Sequence, residues 1–445
     1  MVHEIGEERD RQAGILDDGS KSGVPSGAPG TYASGLPFKV EEIPLLSSVG
    51  RVLAEEVIAG DDLPPFDRST VDGYAVRAAD TFGAGESSPS LLYLKGEVGM
   101  GEETHLDVNP GEAVKIPTGG MLPEGADSVV MVENTALLDP VTVEIRRPVV
   151  PRENVIRRGE DISAGTTLLR RGKRLRPQDV AALAGLGRSV VRVYKKPRVA
   201  ILSTGDEVIP FWEPLSPGKI RDMNAPGIFS AVVEDGGEPD FLGIAKDDVK
   251  DLEDRIRQAL NRGYDMILLS GGSSVGSRDV TLSVMRDLGN PGVLAHGLAL
   301  QPGKPTVLGV SKGVPIVGLP GHPVSAMIVY RQFVRPLLAW IGGESIRLGD
   351  EGRKLEAGGE GQEKPFLRLS ECYVEARLGR NLHSSPGREE WVRVRLEREG
   401  GEWVAVPILG GSAMISTLVK ADGLVCIPLF SNGIPAGEIV KVYPY

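Results

Sequence analysis

The sequence predicts a multidomain α/β protein: an αβα domain built on a parallel sheet, β-rich domains, and a small β-barrel in the last part of the chain. First, 445 residues exceed what one hydrophobic core ordinarily holds. Second, between about 196 and 345, short apolar runs alternate with amphipathic stretches, which is typical of βαβ units. Third, 58 glycines and 33 prolines with only 5% aromatic residues favour turns and strands over a helical bundle.

Composition narrows the function classes. A net charge of −11 argues against a nucleic-acid or anionic-membrane surface, and no apolar run approaches the ~18 residues of a membrane span. The charged start has no apolar segment typical of a secretory signal. The two cysteines, Cys372 and Cys426, have neither zinc-ligand nor CxxC spacing. We therefore expect a reducing, cytoplasmic location.

Composition shifts and turn-rich stretches divide the chain into five parts. The last part alternates apolar and charged residues, which predicts a small β-barrel, with a sandwich as the alternative. The predicted parts are a flexible N-terminal extension at 1–35, a discontinuous linking domain at 36–57 and 158–195, a β-rich domain at 58–157, the αβα domain at 196–345, and the barrel at 346–445.

Two apolar runs, 199–202 and 266–269, each end in a turn of small residues that is followed by carboxylates. Backbone N–H groups in such turns bind anions, and a divalent cation would relieve the repulsion between anion and carboxylates. Two such turns in one sheet predict a phosphate-plus-metal site. The alternative is that Asp206 and Asp279 only cap helices. The turns supply hydroxyls from Ser203, Thr204, Ser270, Ser273 and Ser274 and carboxylates from Asp206, Glu207 and Asp279.

Four other loops carry candidate residues. Asp72 lies in the loop 64–75, which begins with two prolines, and Thr118 lies between a proline and two glycines. Lys304 lies in a turn between two prolines, where it can bind an oxyanion, and 318–326 runs from a strand into a helix. Each loop also fits an ordinary turn, and His322 is interpreted as a turn histidine because no second histidine or cysteine lies at ligand spacing.

Separated segments occur in a diagnostic order: PPFDRSTVDGYA, IPTGGMLPEGADSVVMVE, IRRGEDISAG, ILSTGDEV and SGGSSVGSRD, followed by QPGKP and LPGHPVSA. Together they resemble the molybdopterin molybdenumtransferase family, the MoeA and gephyrin E-domain proteins, from about residue 36 to the end. The resemblance implies an elongated, L-shaped subunit and a homodimer with the cleft between the αβα molybdopterin-binding domain and the partner's β-rich domain. It also implies Mg²⁺-dependent insertion of molybdate into adenylylated molybdopterin, which releases AMP and molybdenum cofactor.

The resemblance assigns residues to roles. It implies catalytic roles for Asp72 and Thr118 on the β-rich domain, and for Glu207, Asp247 and Asp279 on the αβα domain, with Asp247 and Asp279 as magnesium ligands. The implied substrate-binding residues are Ser203, Thr204, Gly205, Asp206, Ser270, Gly271, Gly272, Ser273, Ser274, Gly276, Pro320, Gly321 and Pro323. The implied oxyanion-binding residues are Gly303, Lys304, Ser325, Arg388 and Ser412.

Departures from the family pattern leave alternatives open. Gln301 stands where many relatives carry a lysine, His296 and Gly297 replace another basic neighbourhood, and His322 stands where asparagine is frequent. Positive charge in the oxyanion pocket is therefore lower, which leaves the choice between molybdate and tungstate open. Alternative functions are molybdopterin adenylylation by a related αβα module, a scaffold that binds without catalysis, and molybdate sensing or storage.

Overall fold

The computed structural model describes residues 38–271, 277–289, 291–345 and 373–445. The chain divides into two compact units. One contains residues 42–49 and 55–192, and the other contains 50–54 and 193–445 together with the segment up to 41. This division is coarser than the predicted domain boundaries, which stay predictions. None of the helices in the described ranges has the length and apolar character needed to cross a membrane.

The unit around residues 55–192 is mostly strands. Its elements, with the strands at its two borders, are β1 (Val40–Pro44), β2 (Val57–Ile58), β3 (Arg68–Ser69), β4 (Gly73–Val76), β5 (Ser90–Glu97), β6 (Glu112–Ile116), β7 (Ser128–Met131), β8 (Thr135–Asp139), β9 (Thr142–Ile145), β10 (Val155–Ile156), β11 (Thr167–Leu169), α1 (Pro177–Gly185) and β12 (Val190–Tyr194), with 3-10 turns at Leu45–Ser47, Ala78–Thr81 and Val132–Asn134.

A six-stranded sheet with the order β7-β4-β6-β5-β9-β8 forms the core of this unit. Only β5 and β6 run parallel. Residues of β4 alternate between two apolar clusters, with Tyr74 and Val76 in one and Ala75 in the other, so the sheet is covered on both faces. A Cβ at Gly73 would lie 1.9 Å from the carbonyl oxygen of Val130. The close pairing of β4 with β7 therefore requires glycine directly after Asp72.

The second unit begins with alternating strands and helices. They are β13 (Arg198–Thr204), β14 (Val208–Ile209), β15 (Ile220–Arg221), α2 (Asn224–Glu234), β16 (Glu238–Ala245), α3 (Val249–Asn261), β17 (Met266–Gly271), α4 (Ser277–Asp287), β18 (Pro291–His296), β19 (Leu300–Gln301), β20 (Val307–Ser311), β21 (Val314–Leu319), α5 (Pro323–Val329) and α6 (Arg335–Ile341), with a π-helical turn at Tyr330–Val334 between the last two helices.

The predicted αβα arrangement is confirmed by the sheet and its two apolar faces. In β13, Val199 and Ile201 pack in the cluster that contains α2 and α5, while Ala200 and Leu202 pack in the cluster that contains α3 and α4. A strand with both faces buried reads as a continuous apolar run, and the run at 199–202 has this composition.

The sheet order is β16-β13-β17-β21-β20-β18, and the first four strands are parallel. The prediction of a parallel sheet is wrong for β20, which runs antiparallel to both neighbours. The reason is the two-residue turn between β20 and β21, where Lys312 and Gly313 have φ values of 50° and 82°. Such a turn joins antiparallel strands, whereas parallel strands need a longer crossover.

The last part of the chain forms a closed barrel, which confirms the predicted barrel over the sandwich. The strands β24, β25, β22, β28 and β26 pair in this order, and β26 pairs back to β24. In addition, Leu300 and Gln301 of β19 pair in parallel with Glu389 and Glu390 of β24. This short ladder joins the segment between β18 and β20 to the barrel. The elements are β22 (Val374–Leu378), β23 (Leu382–His383), β24 (Glu389–Glu399), β25 (Glu402–Pro407), α7 (Ser416–Val419), β26 (Gly423–Ile427), β27 (Gly433–Ile434) and β28 (Ile439–Pro444).

Candidate functional site

The two predicted turns lie side by side at the carboxyl edge of the sheet. Ser203 is in register with Ser270, and Thr204 with Gly271. Gly205 and Gly271 have φ values of 135° and 133°, a region that side chains disfavour. A Cβ at Gly271 would lie 2.1 Å from the carbonyl oxygen of Thr204. Both turns therefore depend on glycine, and they end side by side at one edge of the sheet.

A buried polar network supports these turns. Ser203 Oγ donates to Asp222 Oδ2 over 2.6 Å, while Asp222 Oδ1 accepts the backbone N–H groups of Asn224 and Ala225 at 3.1 and 3.0 Å. Asn224 Nδ2 in turn donates to Ser270 Oγ at 2.9 Å and to the carbonyl oxygen of Gly321 at 2.8 Å. The side chains of Asp222 and Asn224 thus connect the two glycine turns and the loop at Gly321, which are distant in sequence.

This network changes the expected role of the hydroxyl groups. Ser203, Thr204 and Ser270 expose only 2%, 3% and 2% of their surface. The hydroxyl hydrogen of Ser203 is committed to Asp222, so this serine supports the turn and differs from the predicted donor to a phosphate. Asp222 and Asn224 were not predicted; the available signal was an aspartate two residues before a helix start, which is a capping pattern.

Carboxylates gather beside the first turn. The backbone N–H of Asp206 contacts Asp247 Oδ2 at 3.4 Å, and that of Asp247 contacts Asp206 Oδ1 at 3.3 Å. Burial, together with the negative charges of Glu207 and Asp206, raises the pKa of Asp247 above its usual 3.8. Lys219 Nζ donates to the carbonyl oxygen of Asp206 at 2.5 Å, so a positively charged side chain contacts this acidic turn.

Part of the predicted site lies outside the described residues. This applies to Gly272, Ser273, Ser274 and Gly276 and to the side chain of Asp279, whose backbone belongs to α4.

The turn that carries Lys304 is held by its backbone. The carbonyl oxygen of Lys304 accepts the N–H groups of Leu298 and Thr306, both at 2.9 Å. Gly303 is buried with φ of 137°, and a Cβ there would lie 2.8 Å from side-chain atoms of both Leu300 and Val329. The Lys304 side chain itself is exposed. A rigid turn therefore presents a mobile point charge, which suits an oxyanion.

The barrel contributes a residue to the loop before α5. His322 Nδ1 lies 2.7 Å from Ser412 Oγ, and the N–H of Val324 donates to the carbonyl oxygen of Ser412 at 3.1 Å. Ser325, in the first turn of α5, is buried with 4% exposed. The interpretation of His322 as a histidine in a turn was incomplete, because its ring connects this turn to the barrel. Pro320 and Pro323, also predicted for the site, are buried on either side of the loop.

In the other compact unit, Asp72 and Thr118 form a pair. Asp72 Oδ1 accepts both the backbone N–H of Thr118 at 2.6 Å and its hydroxyl at 2.9 Å. These two hydrogen bonds lower the pKa of Asp72 below 3.8, the backbone bond contributing most. Both residues are exposed, so a charged carboxylate is held ready at the surface.

Three family models together match most of the chain. The MoeA N-terminal region (domain I and II) matches residues 29–187, the "Probable molybdopterin binding domain" matches 200–340, and the MoeA C-terminal region (domain IV) matches 375–445. The molybdopterin molybdenumtransferase of Bacillus subtilis is 30% identical over 91% of this chain and 89% of its own length. The chain belongs to the MoeA family. A second relative, molybdopterin molybdenumtransferase 2 of Mycobacterium tuberculosis, is 33% identical over 90% of this chain and 94% of its own.

A solved MoeA structure has the same fold. The molybdopterin biosynthesis MoeA protein of Pyrococcus horikoshii OT3 superposes with a TM-score of 0.75 at 33% identity, covering 92% of this chain and 95% of that one.

In this MoeA-family chain, the ladder between β19 and β24 gathers further polar groups. Gln301 is in register with Glu390, and its Nε2 lies 3.5 Å from Glu390 Oε1. Gln301 Oε1 and Arg388 Nε are buried, and neither has a hydrogen-bond partner in the part of the chain that the structure describes. Such atoms cost free energy unless a ligand or water satisfies them. The Arg388 N–H is a donor and fits the predicted oxyanion role, whereas the Gln301 oxygen is an acceptor and needs a donor such as water or a protonated ligand group.

Proposed function

We propose that this protein is a molybdopterin molybdenumtransferase, which inserts molybdate into adenylylated molybdopterin and releases AMP. The observation that carries the proposal is the register of Ser203 with Ser270, which brings two glycine turns together beside Asp206 and Asp247 in a chain with all three MoeA regions. The turns suit the phosphoanhydride, and the carboxylates suit a cation that neutralises it.

Mg²⁺ fits the residues present. Among the described residues no cluster of three or more His, Cys, Asp or Glu side chains is arranged to hold a metal. Mg²⁺ commonly uses only one or two carboxylates and completes its shell with water and substrate phosphates. Asp247, whose pKa is raised by burial and then by the negative charges of Glu207 and Asp206, supports this role, and Asp279 is proposed as the second ligand. Bound there, Mg²⁺ would neutralise phosphate charge.

The protein's own residues then orient the reactants. The N–H of Gly205 already donates to the carbonyl oxygen of Ala245 at 3.4 Å, so the backbone N–H groups of the turn that begins at Gly271 would bind the phosphate oxygens. Lys304, Ser325, Arg388 and Ser412 would hold molybdate, whose oxygen attacks the anhydride as the dithiolene receives the metal. A homodimer, in which Asp72 and Thr118 of the second copy complete the site, and a cytoplasmic location stay part of this proposal.

The decisive experiment supplies purified protein with adenylylated molybdopterin, Mg²⁺ and either molybdate or tungstate, and follows AMP release and cofactor formation. We expect AMP release that depends on the oxyanion and that Asp279→Asn abolishes. Asp254→Asn, at an exposed position of α3, is the matched control and should behave as wild type.

Two results would favour other functions. Binding of adenylylated molybdopterin without AMP release under either oxyanion would support a binding or scaffold role. Formation of adenylylated molybdopterin from ATP would support the adenylyltransferase alternative, although the MoeA N-terminal and C-terminal regions favour the insertion step.

A further inference from the structure

A cavity of about 280 Å³ lies between the starts of α2 and α5 and the barrel helix α7. Its walls are mainly apolar and include Met223, Met327, Ile415 and Leu418. This volume is just below the roughly 300–1,000 Å³ typical of ligand pockets. We call it the methionine pocket. Thioether side chains are polarisable and pack favourably against aromatic rings, so the pocket suits a flat heterocycle better than a branched aliphatic group.

One polar side chain in the wall has unused hydrogen-bonding capacity. Asn224 lines the methionine pocket, and its Nδ2 is committed to Ser270 and Gly321. Its Oδ1 is buried and has no hydrogen-bond partner among the residues that the structure describes. A buried carbonyl oxygen without a partner is unfavourable, and a ligand N–H group would satisfy it. The pocket therefore calls for a ring that carries an N–H or amino donor.

We propose that the methionine pocket binds the pterin ring of the substrate, with Asn224 Oδ1 accepting a hydrogen bond from a pterin N–H group. This inference rests on the proposed function, because it assigns one part of that substrate to a place. Adenylylated molybdopterin offers two heterocycles with amino groups, pterin and adenine. They lie at opposite ends of the phosphoanhydride.

The position of the pocket favours the pterin. Pro323, in its wall, directly follows His322, and Ile415 lies three residues after Ser412. His322 and Ser412 are the pair joined at 2.7 Å beside the predicted oxyanion residues. In molybdopterin the dithiolene that receives molybdenum is next to the pterin and remote from the adenine. A pterin in the methionine pocket would therefore place the dithiolene close to the bound oxyanion.

The test fills the pocket from two sides. A Cβ at Gly227 would meet only Met327 Sδ, at an ordinary 3.5 Å, so Gly227→Leu projects a side chain into the pocket while Gly227→Ala serves as its control. Val419, 80% exposed on α7, lines the opposite side, so Val419→Trp narrows the pocket without disturbing a core. Val233→Trp, at a 53% exposed position of α2 away from the pocket, is the matched control.

The measurement is equilibrium binding of molybdopterin and, separately, of AMP under anaerobic conditions. We expect Gly227→Leu and Val419→Trp each to weaken molybdopterin binding at least tenfold and to change AMP binding less than twofold, whereas both controls match wild type. Unchanged molybdopterin binding in both variants, or a loss of AMP binding instead, would overturn the assignment. If the wild type binds molybdopterin and turns over but neither variant affects it, only the pocket assignment is wrong. Wild-type protein that binds neither compound would contradict the proposed function itself.

Discussion

Ser203 and Asp222 are joined by a 2.6 Å hydrogen bond, and both side chains are almost completely buried. The bond links the first glycine turn to the start of α2, because the second carboxylate oxygen of Asp222 accepts two backbone N–H groups there. Asp222 thus works as a helix cap and as an anchor for the site at the same time.

Replacing Asp222 tests this double role. We expect Asp222→Ala to lower the free energy of unfolding by about 2 kcal/mol, because it removes a helix cap and leaves the buried Ser203 hydroxyl without its acceptor. Asp222→Asn keeps an oxygen for the helix N–H groups and should lose clearly less. Urea unfolding measures both values. Equal losses for the two variants would mean that the hydrogen bonds from the helix N–H groups, which only the asparagine variant keeps, contribute little to stability.

The two turn glycines should differ in their tolerance of a methyl group. Gly271→Ala should destabilise the protein by about 3 kcal/mol, because its Cβ would collide with the Thr204 backbone. At Gly205 the nearest atoms, at 2.9 Å, belong to the Glu207 and Val208 side chains, which can move, so Gly205→Ala should cost less. Gly263→Ala, with φ of 72° and open space around its Cβ, isolates the backbone contribution. Denaturant midpoints rank the three, and a milder effect at Gly271 than at Gly205 would contradict the order.

The effect of Asp247 on stability should depend on magnesium. Its pKa is raised in the folded state, so between pH 3.8 and that higher value the folded state holds more protons than the unfolded one. The free energy of unfolding therefore falls as pH rises through this window and stays lower above it. We expect Mg²⁺ to raise the Tm of wild type at pH 7.5 and to have little effect on Asp247→Asn, which should itself be more stable without Mg²⁺. A Mg²⁺ response that survives the substitution would remove Asp247 from the metal site.

The Asp72 and Thr118 pair predicts a pH effect of opposite sign. Because the folded-state pKa of Asp72 is lowered, its contribution to stability is present above pH 3.8 and is lost as the pH falls through the folded-state value. Thr118→Ala removes the hydroxyl bond and keeps the stronger backbone bond, so the pKa of Asp72 should rise part of the way towards 3.8. Carboxyl NMR titration reports this pKa directly. Thr118→Ser should titrate like wild type, and an unshifted Thr118→Ala would show that the hydroxyl has no influence.

His322 provides a test of the barrel contact. His322→Ala should raise the KM for molybdate several-fold and leave kcat nearly unchanged, because the Ser412 hydroxyl loses the group that positions it. His322→Asn retains a side chain that can hydrogen-bond to Ser412 and should restore most of the affinity. Steady-state AMP release at varied molybdate separates the two parameters. An unchanged KM in the alanine variant would exclude a positioning role.

The parts of the fold that could be predicted are those with a local pattern. The apolar run at 199–202 has the composition of a strand buried on both faces, and alternation such as that at 391–396 predicted the barrel strands. The antiparallel β20 was missed because the decisive signal, two residues with positive φ at Lys312 and Gly313, is a single short turn.

The parts of the site that could not be predicted depend on contacts between distant residues. Asn224 hydrogen-bonds to Ser270 and to Gly321, which are 46 and 97 residues away in sequence. Nothing in the residues around Asn224 indicates these partners, since an asparagine at a helix start is explained by local capping alone. The turns themselves were predictable because each carries its own glycines and hydroxyls.

The parallel ladder between β19 and β24 has a consequence for variation among related chains. Leu300 and Gln301 pair directly with Glu389 and Glu390, so backbone hydrogen bonds fix the position of the barrel relative to the segment that leads to Lys304. Because backbone pairing does not depend on side-chain identity, related chains can vary the side chains at these four positions and still keep Ser412 beside His322.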